Sequence, residues 1–237
     1  KVLDCTYKGD KDEFYRERIP GSISFDISEK GLISNNEEEF IDNMKRLDIK
    51  VDDIIVCYDR KGMYTSPRVW FNFVAYGAKD VFVLDGGFPK WKRDKLPLEF
   101  EEQRPEYIEL YDQTKDYGFK LDESKYVSID NIFDKKNAKI IDARSKEEFD
   151  KLNLPYTLHY DSKNFLDQNG CFKKPKEIKK MIKDKIKKRD ELIFVSDDIY
   201  SACIDLFAIE LAGYGNYSRL YNGTWDELVK KFNIGKS

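Results

Sequence analysis

The segment DIIVCYD at residues 53–59 is closely similar to a second segment, ELIFVSD, at 191–197. Each is a short apolar run that ends in a polar turn, which is typical of a buried strand in a parallel sheet. Three more matches occur in the same order and at nearly the same spacing: KVLDCTY at 1–7 with KIIDARS at 139–145, RIPGSISFD at 18–26 with NLPYTLHYD at 153–161, and VLDGGFPKW at 83–91 with LYNGTWDEL at 220–228. Four ordered matches indicate a duplicated domain.

Strand and helix patterns alternate within each copy, which predicts an α/β fold of two domains, each a parallel sheet with helices on both faces. In the first copy, an amphipathic helix is predicted at 36–48 and a helix with a proline in its first turn at 66–78. The polar, acidic stretch 99–120 lacks helical periodicity and indicates a linker, and 121–137 is predicted to form a short lead-in helix. We therefore expect domains at 1–110 and 111–237.

The charge balance argues against polyanionic partners. Lys and Arg number 42 and Asp and Glu number 45, for a net charge of −3, so no global basic field attracts nucleic acid. The Lys-rich run 173–190 has apolar residues at helical spacing and predicts an amphipathic helix with a basic solvent face. No apolar run approaches the ~20 residues of a membrane-spanning helix. We expect neither a nucleic-acid partner nor a transmembrane segment.

The inventory of cysteine and histidine argues against a metal site. The four cysteines form no CxxC pair, and His159 is the only histidine, so we expect no zinc site, no cofactor and no disulfide framework. Cys57 and Cys203 lie in apolar segments and are predicted to be small buried side chains, as is typical of free cysteine. Cys171 lies in a polar loop and is expected to be exposed. His159 is interpreted as a structural residue.

Parallel sheets bind ligands beyond the carboxyl ends of their strands, which directs attention to the loops 58–65 and 196–200. Each loop opens a helix, so its backbone N–H groups could cradle an anion. In the first copy Arg60, Lys61 and Arg68 could supply positive charge. The alternative is that Arg68 pairs with a local carboxylate while Arg60 and Lys61 are solvated.

The second loop, SDDIYSA, has neither a glycine nor a cation. Asp197 and Asp198 occupy the path by which an anion would approach, and like charges at such short range repel. The alternative interpretation is that both aspartates cap the N-terminus of the following helix.

These residues together resemble a known family. The tandem arrangement, RIPGSISFDI, the segment VCYDRKGMYTSPRVWFNFVAYGAKDVFVLDGGFPKW, IIDARSKEEF and YNGTWDEL are similar to the two-domain rhodanese family of thiosulfate and mercaptopyruvate sulfurtransferases. The resemblance implies a non-catalytic first domain. It also implies a second domain whose Cys-Gly-Ser-Gly-Val-Thr-Ala loop carries a persulfide-forming cysteine, stabilised as a thiolate by successive N–H groups.

The catalytic loop of the family can be aligned with this sequence, but the position of its cysteine is occupied by another residue. Ser201-Ala202-Cys203 match the family's Thr-Ala-Cys, and counting back places Ser196 at the nucleophile position. Residues 197–200, including Asp197 and Asp198, replace the Gly-Ser-Gly-Val part, so the loop 196–201 is degenerate. A serine without a neighbouring base is a poor nucleophile and would not carry a persulfide.

The substrate-binding residues of the family are only partly present. Arg144 matches the family arginine that helps to hold the anionic substrate, whereas a second arginine has no counterpart in this chain. Asn222 stands where the family usually has Asp. Small anions nevertheless remain candidate ligands, with Arg144, Arg68 and Arg60 as the candidate binding residues.

We therefore expect a rhodanese-like protein that has lost sulfur transfer and acts as a structural or binding subunit of a larger protein assembly. One alternative is an active thiosulfate or mercaptopyruvate sulfurtransferase that uses another thiol, with Cys171 favoured over Cys203. A third possibility is an anion sensor at the first-domain loop. The eukaryotic branches of the family suggest a mitochondrial location, and the alternative is cytoplasmic.

Overall fold

The computed structural model describes residues 1–7, 11–100, 115–133, 138–215 and 217–234. Two compact units are present, and each has its own sheet. The first unit comprises Lys1–Asp122 with Asn169–Cys171, and the second comprises Glu123–Gln168 with Phe172–Ser237. The expected boundary at residue 110 lies within 101–114, outside the described residues, so the division into 1–110 and 111–237 stays a prediction.

The first unit alternates strands and helices as its sequence pattern predicts. The elements are β1 (Val2–Asp4), α1 (Lys11–Arg16), β2 (Ser22–Ser24), α2 (Glu37–Arg46), β3 (Ile55–Tyr58), α3 (Ser66–Ala75), β4 (Val81–Val83) and α4 (Gly87–Arg93). The strands lie in the order β2-β1-β3-β4, and all are parallel. Helix α2 begins where the Asn36 side chain accepts a hydrogen bond from the Glu39 N–H, and α3 has a proline in its first turn.

Helices cover both faces of this sheet. Successive residues of a strand point to opposite faces, so the strands place side chains on both. On one face, Phe40 of α2 contacts Phe73 of α3 and stacks on Tyr76 with ring centroids 3.8 Å apart. On the other face, Phe88 of α4 forms an apolar cluster with Tyr58 of β3. The predicted architecture of helices on both faces is thus confirmed.

The second unit repeats this plan with one additional strand. Short 3₁₀ turns occur at Glu123–Lys125 and Ser162–Phe165. The other elements are β5 (Tyr126–Val127), β6 (Lys139–Asp142), α5 (Lys146–Lys151), β7 (Thr157–His159), α6 (Pro175–Ile182), β8 (Leu192–Val195), α7 (Ile199–Leu211), β9 (Ser218–Tyr221) and α8 (Trp225–Phe232). The strands are parallel and lie in the order β5-β9-β8-β6-β7.

Two predicted helices differ from the structure. The expected lead-in helix at 121–137 is wrong in the described part of that range, where a single 3₁₀ turn precedes β5. Tyr126 and Val127 favour a strand, and Val127 is buried in the core of the second unit. The basic helix α6 ends at Ile182, earlier than its pattern predicts, and Ile186 reaches the core from the turn beyond it.

The two sheets superpose strand for strand in register. Leu3 pairs with Cys57 across β1 and β3, and Ile141 pairs with Phe194 across β6 and β8. Strands β1, β2, β3 and β4 therefore correspond to β6, β7, β8 and β9. In the described part of the first unit, β5 has no counterpart.

The carboxyl group of Glu210, in the last turn of α7, should have a measurable effect on how stability depends on pH. Burial raises the pKa of Glu210 to about 7, and Lys125 only partly opposes this. Because the folded state holds this proton more tightly than the unfolded state, stability should fall as the pH rises from about 4.5 to 7. We expect Glu210→Gln to remove about 1–2 kcal/mol of this pH dependence, after allowance for partial exposure. Urea unfolding of both proteins at pH 5 and pH 8 measures it, and parallel pH profiles would contradict the prediction.

Candidate functional site

The two candidate loops begin at equivalent positions in the two units. Asp59 directly follows the last residue of β3, and Ser196 directly follows the last residue of β8. Both positions lie at the carboxyl edge of a parallel sheet, where ligands of such folds bind. These equivalent positions therefore hold an aspartate in one copy and a serine in the other, and the assignment of Ser196 to a nucleophile position stays a prediction.

In the first unit, the loop after β3 wraps around the carboxylate of Asp59, which is 1% exposed. One oxygen, Oδ1, accepts a hydrogen bond from a single backbone N–H of the loop, and Oδ2 accepts four hydrogen bonds from three residues. Such convergent N–H groups form the kind of cradle that binds anions in many proteins. The donors are the backbone N–H groups of Lys61 (2.9 Å), Tyr64 (2.9 Å), Thr65 (3.0 Å) and Ser66 (3.0 Å) and the Ser66 hydroxyl (2.9 Å). The predicted anion cradle is present, and the chain's own carboxylate fills it.

The two arginines at this loop are enclosed by the protein, whereas Lys61 is exposed. Arg60 Nε lies 2.9 Å from Asp4 Oδ2, its Nη2 donates to the Glu17 carbonyl at 2.8 Å, and its guanidinium lies over the Phe88 ring. Burial raises the pKa of the Asp4 carboxyl, and Arg60 opposes that shift. Arg68, in the first turn of α3, is 2% exposed. The alternative of a solvated Arg60 is therefore wrong, since Asp4 holds it inside the protein.

In the second unit, the predicted loop 196–201 is half helical. Helix α7 begins at Ile199, because Asp198 caps it: Oδ1 accepts from the Tyr200 N–H at 2.8 Å and Oδ2 accepts from the Ser201 hydroxyl at 3.0 Å. Partial burial raises the pKa of the Asp198 carboxyl. Asp198 thus has the capping role, whereas Asp197 lies outside the helix and is exposed.

Ser196 lacks the surroundings of an activated nucleophile. Its side chain is largely buried, and its hydroxyl donates to Asp197 Oδ1 at 3.1 Å. Within the part of the chain that the structure describes, this is the only hydrogen bond of that hydroxyl. No group of described N–H donors converges on Ser196 Oγ, in contrast to the four N–H groups and one hydroxyl around the carboxylate of Asp59.

Arg144 is held by its own neighbours. Its Nε and Nη2 donate to the Asp142 carboxylate at 3.0 and 2.7 Å, and Nη2 also donates to the Leu152 carbonyl at 2.6 Å. The guanidinium lies 3.3 Å from the centroid of the Trp225 ring, and the residue is 3% exposed. A bidentate ion pair stacked on an aromatic ring is a strong structural arrangement. A role of Arg144 in anion binding stays a prediction.

The thiols are all enclosed. Cys171 is 8% exposed, so the expectation of an exposed Cys171 is wrong. The reason is that the turn Asn169–Cys171 belongs to the first unit, where Arg93 Nη1 donates to the Asn169 carbonyl. Cys203 is fully buried, as its apolar segment predicts. Burial also raises the pKa of the Cys5 thiol, which keeps it protonated and unreactive.

His159 has a structural environment. Its Nε2 lies 2.9 Å from the Arg144 carbonyl oxygen, and its ring stacks on Phe149 with centroids 4.5 Å apart. These contacts fix the ring beside β7.

The residues that the structure describes contain neither a cluster of metal-ligating side chains nor a membrane-spanning helix. They contain no group of three or more His, Cys, Asp or Glu side chains placed to hold a metal ion. No helix among them has both the length and the apolar character that a membrane span requires.

Two features escape prediction from the sequence. In the sequence, Asp59 is the polar residue that ends an apolar run. The only signal that its carboxylate accepts hydrogen bonds from the loop is its position before a turn with many free N–H groups. Asp205, on α7, is fully buried, and neither of its carboxyl oxygens has a hydrogen-bond partner within the described part of the chain. No local pattern distinguishes it from a solvent-facing helix residue.

Comparison with known proteins agrees with this architecture. The model of the family described as "Rhodanese-like domain" matches residues 1–94 and 127–231. Mouse 3-mercaptopyruvate sulfurtransferase is 27% identical over 260 residues, which cover 96% of this chain and 84% of the mouse protein.

Two solved yeast structures are also similar. The Tum1 protein of Saccharomyces cerevisiae has a TM-score of 0.76 at 25% identity and covers 97% of this chain and 88% of its own. The sub-stoichiometric sulfur transferase subunit of yeast mitochondrial complex I has a TM-score of 0.75 at 24% identity, with coverage of 96% and 90%. Because the rhodanese model matches both units in sequence, the chain belongs to the rhodanese family as a tandem sulfurtransferase-type protein.

Proposed function

We propose that this rhodanese-family chain has lost sulfur transfer and serves as a structural or binding subunit of a larger protein assembly. The start of α7 at Ile199 carries the proposal, because it converts half of the loop 196–201 into helix. A persulfide cradle needs successive backbone N–H groups directed at one sulfur atom. A helix that begins three residues after Ser196 uses Asp198 as its cap and leaves no such ring of donors.

The charges of the site support the same proposal. A sulfur donor such as thiosulfate is an anion, and Asp197 and Asp198 lie beside the position it would have to reach. Arg144 is engaged by Asp142 and Trp225, and Arg60 by Asp4. The charged groups at the edge of the second unit's sheet therefore favour a cation over an anion.

The partner and compartment are proposed by analogy. The similar yeast protein is a mitochondrial complex I subunit according to its description, which supports the use of a rhodanese fold as one component of an assembly. We propose mitochondrial residence on the same ground. Fractionation of cells that carry the natural protein tests the location, and recovery only in the cytoplasm would contradict it.

Intact mass after incubation with thiosulfate, and separately with mercaptopyruvate, tests the loss of sulfur transfer. We expect no added sulfur in the absence of reductant, because no thiol of the chain is exposed. A gain of one sulfur that cyanide removes and that peptide mapping assigns to Cys171 or Cys203 would contradict the proposal. It would instead establish the alternative of an active sulfurtransferase that uses another thiol.

Restoring the thiol alone should not restore the chemistry. We expect Ser196→Cys to form less than about 1% of the persulfide that a loop with glycines at Asp197 and Ile199 forms, since oriented N–H donors contribute about 10²–10³ in rate. Persulfide formation is measured by mass and by cyanide release. The matched comparison is Ser196→Cys with and without Asp197→Gly and Ile199→Gly. Full transfer by Ser196→Cys alone would show that the helix start does not disable the site.

A further inference from the structure

The amino edge of the second unit's sheet carries an exposed tyrosine in a strained backbone conformation. Tyr156 directly precedes β7, has a φ of 61° and is 97% exposed. A bulky residue with positive φ is strained, and Tyr156 buries almost no surface in return. Its counterpart directly before β2 is Gly21, whose φ of 69° suits glycine. Tyrosine at this position therefore costs stability, and such outliers point to a functional role.

A second exposed tyrosine lies at the same edge. Tyr217 directly precedes β9 and is 62% exposed, whereas its counterpart directly before β4 is Asp80. The carbonyl of Tyr217 accepts a hydrogen bond at 3.2 Å from the N–H of Leu192, the first residue of β8. Because the strands are parallel, their first residues share one edge, in the order β9-β8-β6-β7. The backbones of Tyr156 and Tyr217 are thus about 15 Å apart, across three strand spacings.

The turn that leads into β8 lies between the two tyrosines. In this turn, residues 187–190, the first N–H group donates to the carboxylate of the last residue at 2.7 Å. The equivalent turn before β3, residues 50–53, has the same hydrogen bond at 2.8 Å. The turn therefore folds alike in both copies, but its middle residues are Val and Asp in the first copy and Lys188 and Arg189 in the second.

The segment around this turn is strongly basic. Residues 173–190 contain ten Lys and Arg and three Asp and Glu, in a chain whose net charge is −3. Five of these cations lie in or directly before the turn, and all five are exposed. Among the residues that the structure describes, no carboxylate forms an ion pair with any of them. We call these five cations, together with Tyr156 and Tyr217, the basic edge; they are Lys183, Lys185, Lys187, Lys188 and Arg189.

The arrangement of the basic edge limits what it can bind. Because no described ion pair orients its five cations, they do not form a rigid cradle for one small anion. Flexible lysine side chains instead suit an extended surface with many negative charges. The apolar residues of the same segment are not available to such a surface, since Ile178, Ile182 and Ile186 are fully buried. The contact is therefore made by the charges and the two tyrosines.

We propose that the basic edge docks the chain onto the surface of a membrane rich in anionic lipids. Clusters of about four to eight Lys and Arg bind such surfaces electrostatically. Four of the five cations are lysine, whereas protein and nucleic-acid interfaces favour arginine. Tyrosine is enriched at the lipid–water interface, because its ring is apolar and its hydroxyl is polar. The docking is peripheral, since the isoleucines of the segment stay in the core.

This inference goes beyond the proposed loss of sulfur transfer and does not depend on it. The basic edge lies at the amino ends of the strands, whereas Ser196 lies at the carboxyl end of β8. The negative net charge of the chain does not oppose local binding, because salt screens exposed charges that are more than about 10 Å apart.

Co-sedimentation of the full chain with lipid vesicles tests the proposal. The vesicles contain phosphatidylcholine alone or with about one third phosphatidylserine. We expect binding only to the anionic vesicles at about 50 mM NaCl, and at least about tenfold weaker binding at about 500 mM. Absence of binding to the anionic vesicles, or equal binding to the neutral ones, would overturn the proposal.

A matched pair of charge variants locates the contact. Lys188→Glu with Arg189→Asp should weaken vesicle binding by at least about tenfold. Lys61→Glu with Lys163→Asp changes the net charge equally at exposed positions outside the basic edge and should bind as the unvaried chain does. An equal loss in both variants would show that net charge alone decides binding, and the basic edge would then have no role.

Tyr156→Gly separates docking from folding. It should weaken vesicle binding by at least about threefold, while the thermal midpoint stays the same or rises, because glycine tolerates positive φ. A lower midpoint with unchanged vesicle binding would show a structural tyrosine and contradict the proposal. Tighter binding to polyglutamate or to duplex DNA than to vesicles of equal charge would also overturn it, and would indicate an acidic protein or a nucleic acid as the partner.

Discussion

Asp59→Ala should lower the free energy of unfolding of the first unit by about 3–5 kcal/mol, since it leaves several buried donors without an acceptor. Four N–H groups and one hydroxyl of the loop after β3 lose their shared partner. Because α3 begins at Ser66, the loss extends to the start of that helix. Urea unfolding gives the total change, and hydrogen exchange at Val56 and Cys57 assigns it to the first unit.

The matched control for this change is Asp197→Ala in the second unit. Asp197 follows Ser196 in an exposed position and accepts one described hydrogen bond, so its removal should alter stability by less than about 0.5 kcal/mol. If Asp59→Ala also cost less than about 1 kcal/mol, the loop around Asp59 would not be held by its carboxylate.

Asp205→Leu should stabilise the second unit by about 2–4 kcal/mol at pH 8, because an unpaired buried carboxyl is replaced by an apolar side chain of similar volume. Asp205 is fully buried, and among the residues that the structure describes neither of its carboxyl oxygens has a hydrogen-bond partner. Burial raises the pKa of this carboxyl well above its usual value, and Asp161 and Asp142 add to the shift.

The advantage of Asp205→Leu should also grow with pH. The folded protein retains the Asp205 proton to a higher pH than the unfolded chain does, so the unvaried protein loses stability as the pH rises above about 4. The leucine variant has no such proton. Thermal unfolding at pH 5 and pH 8 measures the difference, and Asp205→Asn serves as the polar control without a charge. A destabilised leucine variant would show that Asp205 holds a bound water or ion.

The positions of the main strands can be predicted because each strand is a short apolar run in the sequence and the runs occur in both copies. The apolar runs within 53–59 and 191–197 form the buried strands β3 and β8, as their duplication predicts. The strand pairing makes Asp59 equivalent to Ser196, one residue earlier than the match of Asp59 with Asp197 implies. The lead-in helix was wrong because Tyr126 and Val127 are stabilised by the neighbouring β9, a contact that lies far away in sequence. A strand of two residues leaves almost no periodic signal.

The candidate site was harder to predict, because the partners of its charges are distant in sequence. Arg60 pairs with Asp4, 56 residues away, so the sequence alone could not show that its charge is neutralised. The family pattern predicts a loop over residues 196–201 in the second unit. The capping side chain of Asp198 instead lets the helix begin at Ile199.

Strands β1 and β6 each end in an aspartate that an arginine neutralises, but the two arginines come from different loops. In the first unit Arg60 belongs to the loop after β3, so loss of Arg60 leaves the charge of Asp4 unpaired. In the second unit Arg144 lies two residues after β6, so the loop after β8 does not contribute to this ion pair. The loop after β8 can therefore be redesigned at Asp197 without breaking the ion pair of its unit, provided that the Asp198 cap of α7 is kept, whereas the same redesign at Arg60 would break the ion pair of the first unit.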